Sequence, residues 1–440
     1  MSTSKRSASR TRFYQSQWKT DPTFYPTAKL AMEGPVERYA YVAALAPDQK
    51  SRSDALLVVD LDPASDSYGK VAGRIDLPDI GDELHHFGWN ACSSALCPYA
   101  PHPHVERRYL IVPGLRSSRI HIVDTKPDPR ELKIVKTIEP QEVFKRTGYS
   151  RPHTIHCGPQ ELAYDFWWHL GHDTLISSEW GTPNKIENGL QPDHLLSSGY
   201  GHQLHLWNLR KRKHEQVIDL GKEHQMVLEL RPSHDPNRTY GFAGVVISTK
   251  DLSASIWLWN RDNGKWGAKK IIEIPAEPAN PDLLPPILQG FKAVPPFVTD
   301  LNLSLDDKWL YVSCWGTGEL RRYDVSIPDR PKLTSVLQIG GIVRRASHPR
   351  DPNSPLNGGP QMVEVSRDGK RVYFTNSLYS AWDEQVYPEG IRTWFVKADA
   401  ASDGSLHFDP KFFVTSNEHR LHQVRLDGGD ASSDSYCYPS

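Results

Sequence analysis

The sequence predicts an all-β protein, a β-propeller that occupies residues 24–440 as a single domain. Three observations support this prediction. Short β-rich segments recur in a fixed order, tight turns containing Asp-Asp or Asp-Gly precede two of the repeats, and no apolar run at helical spacing is long enough for a major helix. Four-stranded units that repeat around an axis protect their sheet edges by radial packing, which is the arrangement found in a propeller.

The repeated unit contains a strand ending in small or polar residues, a second strand that usually ends in Asp or Asn, a charged turn and a third strand. Six units are visible, and their leading segments are YVAAL from Tyr41, YLIVPGL from Tyr109, LISSEW from Leu175, GVVIST from Gly244, LYVSCW from Leu310 and RVYFTNS from Arg371. Two of them follow a further strand, in LNLSLDDKW and MVEVSRDGK, so we expect roughly four strands per unit. A stacked β-solenoid would repeat faster, and two sandwiches would show a linker.

The composition limits the class of function. With 38% hydrophobic residues, including 13 Trp, 18 Tyr and 13 Phe, the chain can bury a substantial core. The net charge is −1, so no broad attraction to nucleic acid or anionic lipid is built in, and small molecules or proteins are better candidate partners. The chain has no apolar run of membrane-helix length or signal-peptide type, which predicts a soluble, cytoplasmic protein without an integral membrane segment.

Residues 1–23 are expected to form a disordered tail. They contain Lys, Arg, Ser and Thr but no acidic residue before Asp21, a composition that an organellar transit peptide also has. The five cysteines are odd in number and irregularly spaced, which predicts mostly free thiols. Cys92 and Cys97 are close enough in sequence for a redox pair or one soft metal ligand, although buried inert thiols fit equally well.

The 19 histidines include four groups in segments between strands, and the loops at one end of a propeller converge on its axis. These groups are His85 with His86, His153 with His156, His234, and His422. Imidazole binds copper, zinc, iron and nickel, so convergence of these loops would produce a transition-metal site. The spacing alone is not specific, because a single histidine is more often a hydrogen-bonded structural residue. No zinc-finger, HExxH, GxSxG, P-loop or GxGxxG motif points to another chemistry.

Long motifs throughout the chain resemble one family. They are DELHHFGWNACSS from Asp82, SSRIHIVD from Ser117, AYDFWW from Ala163, ISSEWGTPN from Ile176, DLNLSLDDKWLYVSCW from Asp300, GPQMVEVSRDGKRVYFTNSLYSAWDEQVYP from Gly359 and GGDASSDSYC from Gly428. In these motifs the chain resembles the selenium-binding protein family, whose members include methanethiol oxidases. The resemblance covers nearly everything after Phe24.

The resemblance implies a seven-bladed propeller that oxidises methanethiol with oxygen and water to formaldehyde, hydrogen sulfide and hydrogen peroxide. Copper is the implied cofactor. Carried over by motif, the matching histidines are His85, His86, His153, His156, His234 and His422, and Cys92 matches the selenium-associated cysteine of the family. The implied partners are therefore a small thiol and oxygen, and the oligomeric state is left open.

The chain departs from the family pattern in one place. The segment 153-HTIHCGPQELAYDFWW-168 runs almost directly from the histidine motif to the aromatic motif, where the family has a Gly-rich pair of strands and more. Most of one blade is therefore expected to be missing, which accounts for six visible units against seven. Such a loss would expose strand edges or force the ring to close again, and either outcome could displace His153 and His156.

Glu83 and Asp300 are candidates for proton transfer, because each lies in a motif next to the expected site. Either residue could instead serve as a salt-bridge or turn residue. The competing function is a non-catalytic propeller that carries selenium at Cys92 or docks a partner protein. Loss of most of a blade would favour that alternative if it inactivated the site.

Overall fold

The described part of the protein forms six four-stranded antiparallel sheets. The structure is a computed structural model, and it describes residues 21–93, 105–154 and 165–436. The predicted ligand His156 and the predicted partner Cys97 lie outside these residues, as do Cys157, Cys437 and the first twenty residues. We number the sheets 1 to 6 along the chain.

Within each sheet, the strands are named below in the order in which they lie side by side. Sheet 1 contains β26 (Arg420–Leu426), β1 (Tyr39–Leu45), β2 (Ser53–Asp60) and β3 (Val71–Ile80). Sheet 2 contains β4 (Gly88–Trp89), β5 (Tyr109–Pro113), β6 (Ile120–Asp124) and β7 (Lys133–Ile138). Sheet 3 contains β8 (Phe166–His169), β9 (Thr174–Ser178), β10 (Gln203–Asn208) and β11 (Lys213–Asp219).

The later half of the chain repeats the same plan. Sheet 4 contains β12 (His224–Pro232), β13 (Tyr240–Ser248), β14 (Ala254–Asp262) and β15 (Lys265–Ile274). Sheet 5 contains β18 (Val298–Leu303), β19 (Trp309–Cys314), β20 (Glu319–Asp324) and β21 (Lys332–Gln338). Sheet 6 contains β22 (Val363–Val365), β23 (Arg371–Thr375), β24 (Thr393–Ala400) and β25 (Leu406–Ser416). A separate pair is formed by β16 (Glu277–Pro278) and β17 (Ala293–Val294).

Helices are short and lie between strands. They are α1 (Ala28–Met32), α2 (Pro140–Thr147), α3 (Pro183–Ile186), α4 (Pro192–Leu196), α5 (Pro286–Gln289) and α6 (Ser380–Val386), with single 3₁₀ turns at Leu170–His172 and Pro281–Leu283. Within the described residues, no helix has the length and apolar character needed to cross a membrane.

The sheets pack face to face through apolar side chains. Strands β12 and β13 are buried along their whole length because both faces are covered by neighbouring sheets, whereas the outermost strand β11 alternates between exposed and half-buried residues. Separate apolar clusters join sheet 1 to sheet 2, sheet 1 to sheet 6, sheet 6 to sheet 5, sheet 5 to sheet 4, and sheet 4 to sheet 3. This radial packing of four-stranded sheets confirms the predicted β-propeller.

The first and last strands of the chain share one sheet, since β26 pairs with β1. The predicted reversals are also present: Asp307 and Gly369 adopt left-handed backbone conformations, with φ of 58° and 70°, between strands that the sequence indicated. The six sheets correspond to the six repeated units.

Of the predicted tail, Asp21 already contacts the propeller, since its carboxylate accepts a hydrogen bond from the backbone N–H of Arg107 at 2.9 Å.

The boundary between sheets 2 and 3 differs from the others. Within the three described ranges, no apolar cluster joins strands of sheet 2 to strands of sheet 3. This is the boundary at which most of one blade is expected to be missing. Half-buried residues recur along β5 of sheet 2 and β10 of sheet 3.

Candidate functional site

Three histidines gather where loops of sheets 1, 2 and 3 meet. One ring nitrogen from each of His85, His86 and His153 lies within 4.8 Å of the others. The ring centroids are 4.4 Å apart for His85 and His86, 4.2 Å for His85 and His153, and 4.8 Å for His86 and His153. His85 and His86 are buried and His153 is half-buried. Such a group of imidazoles can hold one metal ion.

The backbone fixes the relative positions of these histidines. The N–H of His86 donates to the carbonyl of His153 at 3.1 Å, and His86 forms an isolated parallel bridge with Thr154. The N–H of His85 donates to the carbonyl of Pro113 at 3.3 Å, at the end of β5. The adjacent pair His85 and His86 therefore contributes both side chains to one site, although neighbouring residues of a regular strand would point in opposite directions.

His422 joins this group through a β-bulge. Along β26, Leu421 and Val424 pair with Ala44 and Val42 of β1, so one extra residue is accommodated between them. Bulges re-aim side chains beside functional sites. The ring of His422 lies 4.3 Å from that of His85 and 5.6 Å from that of His86, and its Nε2 contacts Nδ1 of His85.

The protonation state of His422 follows from its hydrogen bond. Its Nδ1 lies 2.7 Å from the carbonyl oxygen of Ser377, so Nδ1 carries the hydrogen and Nε2 presents a lone pair to the cluster. Burial lowers the pKa of His422 to about 4. Burial, together with the three neighbouring imidazoles, also holds the pKa of His85 well below its usual value. Neutral rings with exposed lone pairs are the form that binds metal ions.

Aromatic side chains cover the cluster. Tyr379 contacts His85 edge to face at a centroid distance of 4.4 Å, and Trp180 packs against Tyr379 at 5.3 Å and lies 6.3 Å from His153. Trp382 extends this wall at 5.6 Å from Trp180. All three belong to the apolar cluster at this end of the propeller. None of the three was predicted as a site residue, although Trp180 lies in the motif that begins at Ile176, and Tyr379 and Trp382 lie in the motif that begins at Gly359.

Glu83 lies behind the histidines in a buried ion network. Its carboxylate accepts hydrogen bonds from the N–H and the hydroxyl of Ser380 at 2.7 and 2.8 Å, and it pairs with Arg116. Arg420 lies 3.8 Å away. Although burial opposes ionisation, Arg420 and Arg116 hold the pKa of Glu83 below its usual value. An ionised carboxylate with these partners holds the residue next to Tyr379 in place, and the predicted catalytic role of Glu83 stays a prediction.

Asp300 belongs to a second polar network, which connects the first strands of several sheets. Its carboxylate accepts from the N–H of Val363 at 2.6 Å and lies 3.4 Å from Arg231. Arg231 also lies 3.3 Å from Asp165. The network thus crosses from sheet 3 to sheet 6, and the hydrogen bonds of Asp300 go to this network and not to the clustered histidines. Its predicted catalytic role also stays a prediction.

His234 is not brought into the cluster. Its Nε2 donates to the carbonyl of Leu303 at 3.1 Å, its backbone N–H donates to Asp307, and its ring lies 6.2 Å from Tyr436. It lines a small separate cavity together with Tyr436 and Asp434. The hydrogen bond to Leu303 identifies the structural role that the sequence left open for a single histidine.

Cys92 is also separate from the histidines. It is buried and follows β4, whereas His85 and His86 precede that strand. Although burial opposes it, Asp434 and Cys92 hold the pKa of the neighbouring Arg107 above its usual value. The next residue, Ser93, donates its N–H to Asp434 at 2.7 Å. The thiol thus lies beside a guanidinium group, at the other end of β4 from the candidate metal site.

The donor set of the cluster fits a transition metal. Nε2 of His85 is buried without a hydrogen-bond partner, which costs free energy unless another species occupies that position. His422 supplies a second lone pair whose direction is fixed through Ser377. Imidazole nitrogens without a carboxylate are typical of copper and zinc sites and disfavour calcium or magnesium.

Comparison with known proteins gives one consistent relationship. The sequence model of the family described as 56kDa selenium binding protein (SBP56) matches residues 18–162 and 158–437. A methanethiol oxidase from Xenopus laevis is 34% identical over 468 residues, which cover 92% of this chain and 96% of the relative. Selenium-binding protein 2 from Arabidopsis thaliana is 33% identical over 474 residues, which cover 93% of this chain and 94% of the relative.

A solved structure is also similar to almost the whole of this chain. The X-ray structure of a hypothetical selenium-binding protein from Sulfolobus tokodaii is 54% identical, has a TM-score of 0.92, and aligns with 95% of this chain and 100% of its own. The family model matches in two parts that overlap at residues 158–162, and the alignment of 468 positions is longer than this chain of 440 residues. Both facts agree with a missing segment at the boundary between sheets 2 and 3.

Proposed function

The chain belongs to the 56kDa selenium binding protein family, and we propose that it is a copper-dependent methanethiol oxidase. The proposed reaction converts methanethiol, oxygen and water to formaldehyde, hydrogen sulfide and hydrogen peroxide. The observation that carries the proposal is the buried group of His85, His86 and His153 with His422 against it. Relatives named methanethiol oxidase support the reaction.

Copper would be held by the clustered imidazoles, and when bound it would supply a centre that accepts electrons from a thiol sulfur and passes them to oxygen. The residues of the chain set the orientation and protonation of the ligands. Ser377 keeps the hydrogen of His422 on Nδ1, so that Nε2 stays available as a ligand. Burial lowers the pKa of His85 and His422, so both of these rings are neutral at physiological pH.

The aromatic wall suits a small apolar thiol. Trp180 and Tyr379 border the cluster with ring surface, which favours a methyl group over a charged or polar substituent. Both residues are almost fully buried, so water has little access to the cluster from their side. These features support a one-carbon thiol as substrate.

Metal analysis and product detection test the proposal together. Purified protein should contain copper, and with methanethiol and oxygen it should produce hydrogen peroxide and hydrogen sulfide in equal amounts. Chelation should remove both products, and addition of copper should restore them. A folded protein that takes up no copper, or one that is loaded with copper but produces neither compound, would contradict the proposal.

A selenium-carrying role at Cys92 is the second candidate function, and the separate position of this thiol beside Arg107 favours it. Relatives named selenium-binding protein support the same candidate. If the two functions occupy different sites, replacing Cys92 should affect only one of them.

The variant Cys92→Ser should keep oxidase activity within about twofold of the original, because the substitution is nearly isosteric and lies at the other end of β4 from the histidines. It should lose bound selenium after incubation with selenite. Selenium content by mass spectrometry and the peroxide assay measure the two effects on one preparation. Loss of activity with unchanged copper content would show that the sites are coupled.

A further inference from the structure

Arg116 is the residue that links the two sides of the histidine cluster. It follows β5 of sheet 2, and its backbone N–H donates to the carbonyl of Asp82 at 3.0 Å. Its guanidinium group pairs through Nε with the carboxylate of Glu83, two residues before His85. Through Nη2 it donates to the backbone carbonyl of Glu187 at 2.7 Å, in the segment between β9 and β10 of sheet 3. One side chain therefore connects sheets 2 and 3.

Glu187 continues this link toward His153. Its carboxylate accepts from Nε of Arg151 at 2.5 Å, two residues before His153. The backbone N–H of Arg151 donates to Ser118, close to Arg116 in sequence, at 2.9 Å. The segment of His85 is thus connected to Arg116 through Glu83. The segment of His153 is connected to it through Arg151 and Glu187, and Arg151 also bonds Ser118.

The position of this link matters because apolar packing there is confined, in the described residues, to the loops beyond the strands, where Leu115 belongs to one cluster with Trp180 and Ile186. At the other boundaries between sheets, apolar clusters set the distance between neighbouring strands. Between strands of sheets 2 and 3 the described ranges contain no such cluster, yet His86 and His153 must stay within hydrogen-bonding distance. A charged hydrogen bond from a planar guanidinium group is both stronger and more directional than a neutral one, so it can fix this distance.

We propose that Arg116 is a positioning residue that holds the His153 segment against His85 and His86. The inference rests on the proposed metal site for its effect on copper. Its effect on the protein backbone is independent of any metal. The guanidinium group of Arg116 contacts Glu83 and Glu187, so its role is exerted through these two residues.

The backbone N–H of His86 reports on this role directly, because it is protected only while it donates to the carbonyl of His153. In metal-free protein, the variant Arg116→Met should exchange the His86 amide hydrogen on the order of tenfold faster than the original, measured by mass spectrometry of peptides that contain this amide. Amides within β5 and β6 should keep their rates. Arg116→Lys should fall between the two, since lysine retains the charge but cannot contact both partners with one planar group.

Copper affinity provides the second measurement. In competition with a chelator, Arg116→Met should bind copper about 10- to 100-fold more weakly, as is typical when groups that orient metal ligands are lost. Arg130→Met is the matched control, because Arg130 forms an exposed ion pair with Asp128 in the turn between β6 and β7, and its side-chain hydrogen bonds go to Asp128 and not to Glu83 or Glu187. It should change neither quantity.

Unchanged exchange at His86 in Arg116→Met would overturn the inference, and so would equal acceleration throughout sheet 2, which would indicate a general loss of stability. If the original protein bound no copper while the His86 amide still responded to Arg116→Met, the proposed function would fail and the positioning role would stand. The two proposals are therefore tested separately.

Discussion

Replacing His85 with alanine should abolish copper binding and reduce oxidase activity at least about 100-fold, which is the largest effect expected for any single substitution at the site. His85 is central to the cluster, because its ring contacts those of His86, His153 and His422, and Tyr379 as well. The substitution removes one ligand. It also removes the ring against which the other three imidazoles pack, so their relative positions are no longer fixed. Copper content after dialysis and the rate of peroxide production measure the result.

The matched control for this prediction is His234→Gln. His234 was among the ligands carried over from the family resemblance, yet its Nε2 donates to Leu303 outside the cluster, and a glutamine amide can make a similar hydrogen bond. This variant should bind copper as the original does. Loss of copper from His234→Gln, with retention in His85→Ala, would place the metal elsewhere and contradict the proposed site.

The histidines illustrate what a sequence can predict about a site and what it cannot. Their occurrence in separate loops of a repeated β-architecture was sufficient to predict convergence, and the structure brings His85, His86, His153 and His422 together. The separate position of His234 was not predictable, because the direction of a loop side chain depends on the contacts that the loop makes. The bulge that aims His422 at His85 is likewise invisible before the pairing of β26 with β1 is known.

The fold was predictable for a different reason. Each sheet is built from consecutive strands, apart from the pairing of β26 with β1, so local patterns of strands and turns repeat along the chain and can be counted. The contacts between sheets depend on residues far apart in sequence. The aromatic wall of Trp180 and Tyr379 and the link made by Arg116 belong to this class, and neither follows from a local pattern.

The polar network that connects the first strands of neighbouring sheets also depends on residues far apart in sequence. Arg425 of β26 donates to Glu364 of β22 at 2.7 Å, and Ser432 donates to the same carboxylate at 2.6 Å. Both members of the ion pair are buried. Burial and the nearby Asp430 raise the pKa of Glu364, while Arg425 opposes this rise. The guanidinium group therefore determines how much the buried carboxylate costs the folded state.

Replacing Arg425 with methionine should destabilise the protein by about 3 kcal/mol at pH 10 and by clearly less at pH 5. Without Arg425 the pKa of folded Glu364 rises further, whereas in the unfolded chain this carboxyl ionises near the ordinary value of about 4.3. The folded variant then binds a proton that the unfolded chain has released, so its stability falls as pH increases above about 4.3 until the raised folded pKa is reached. In the original protein the fall ends near pH 8, because burial raises the pKa of Glu364 to about 8 even with Arg425 opposing the rise. Urea unfolding at the two pH values, followed by tryptophan fluorescence, measures the difference, and Arg130→Met should show none. Equal destabilisation of Arg425→Met at pH 5 and pH 10 would mean that lost packing, and not the uncompensated charge of Glu364, is the cause.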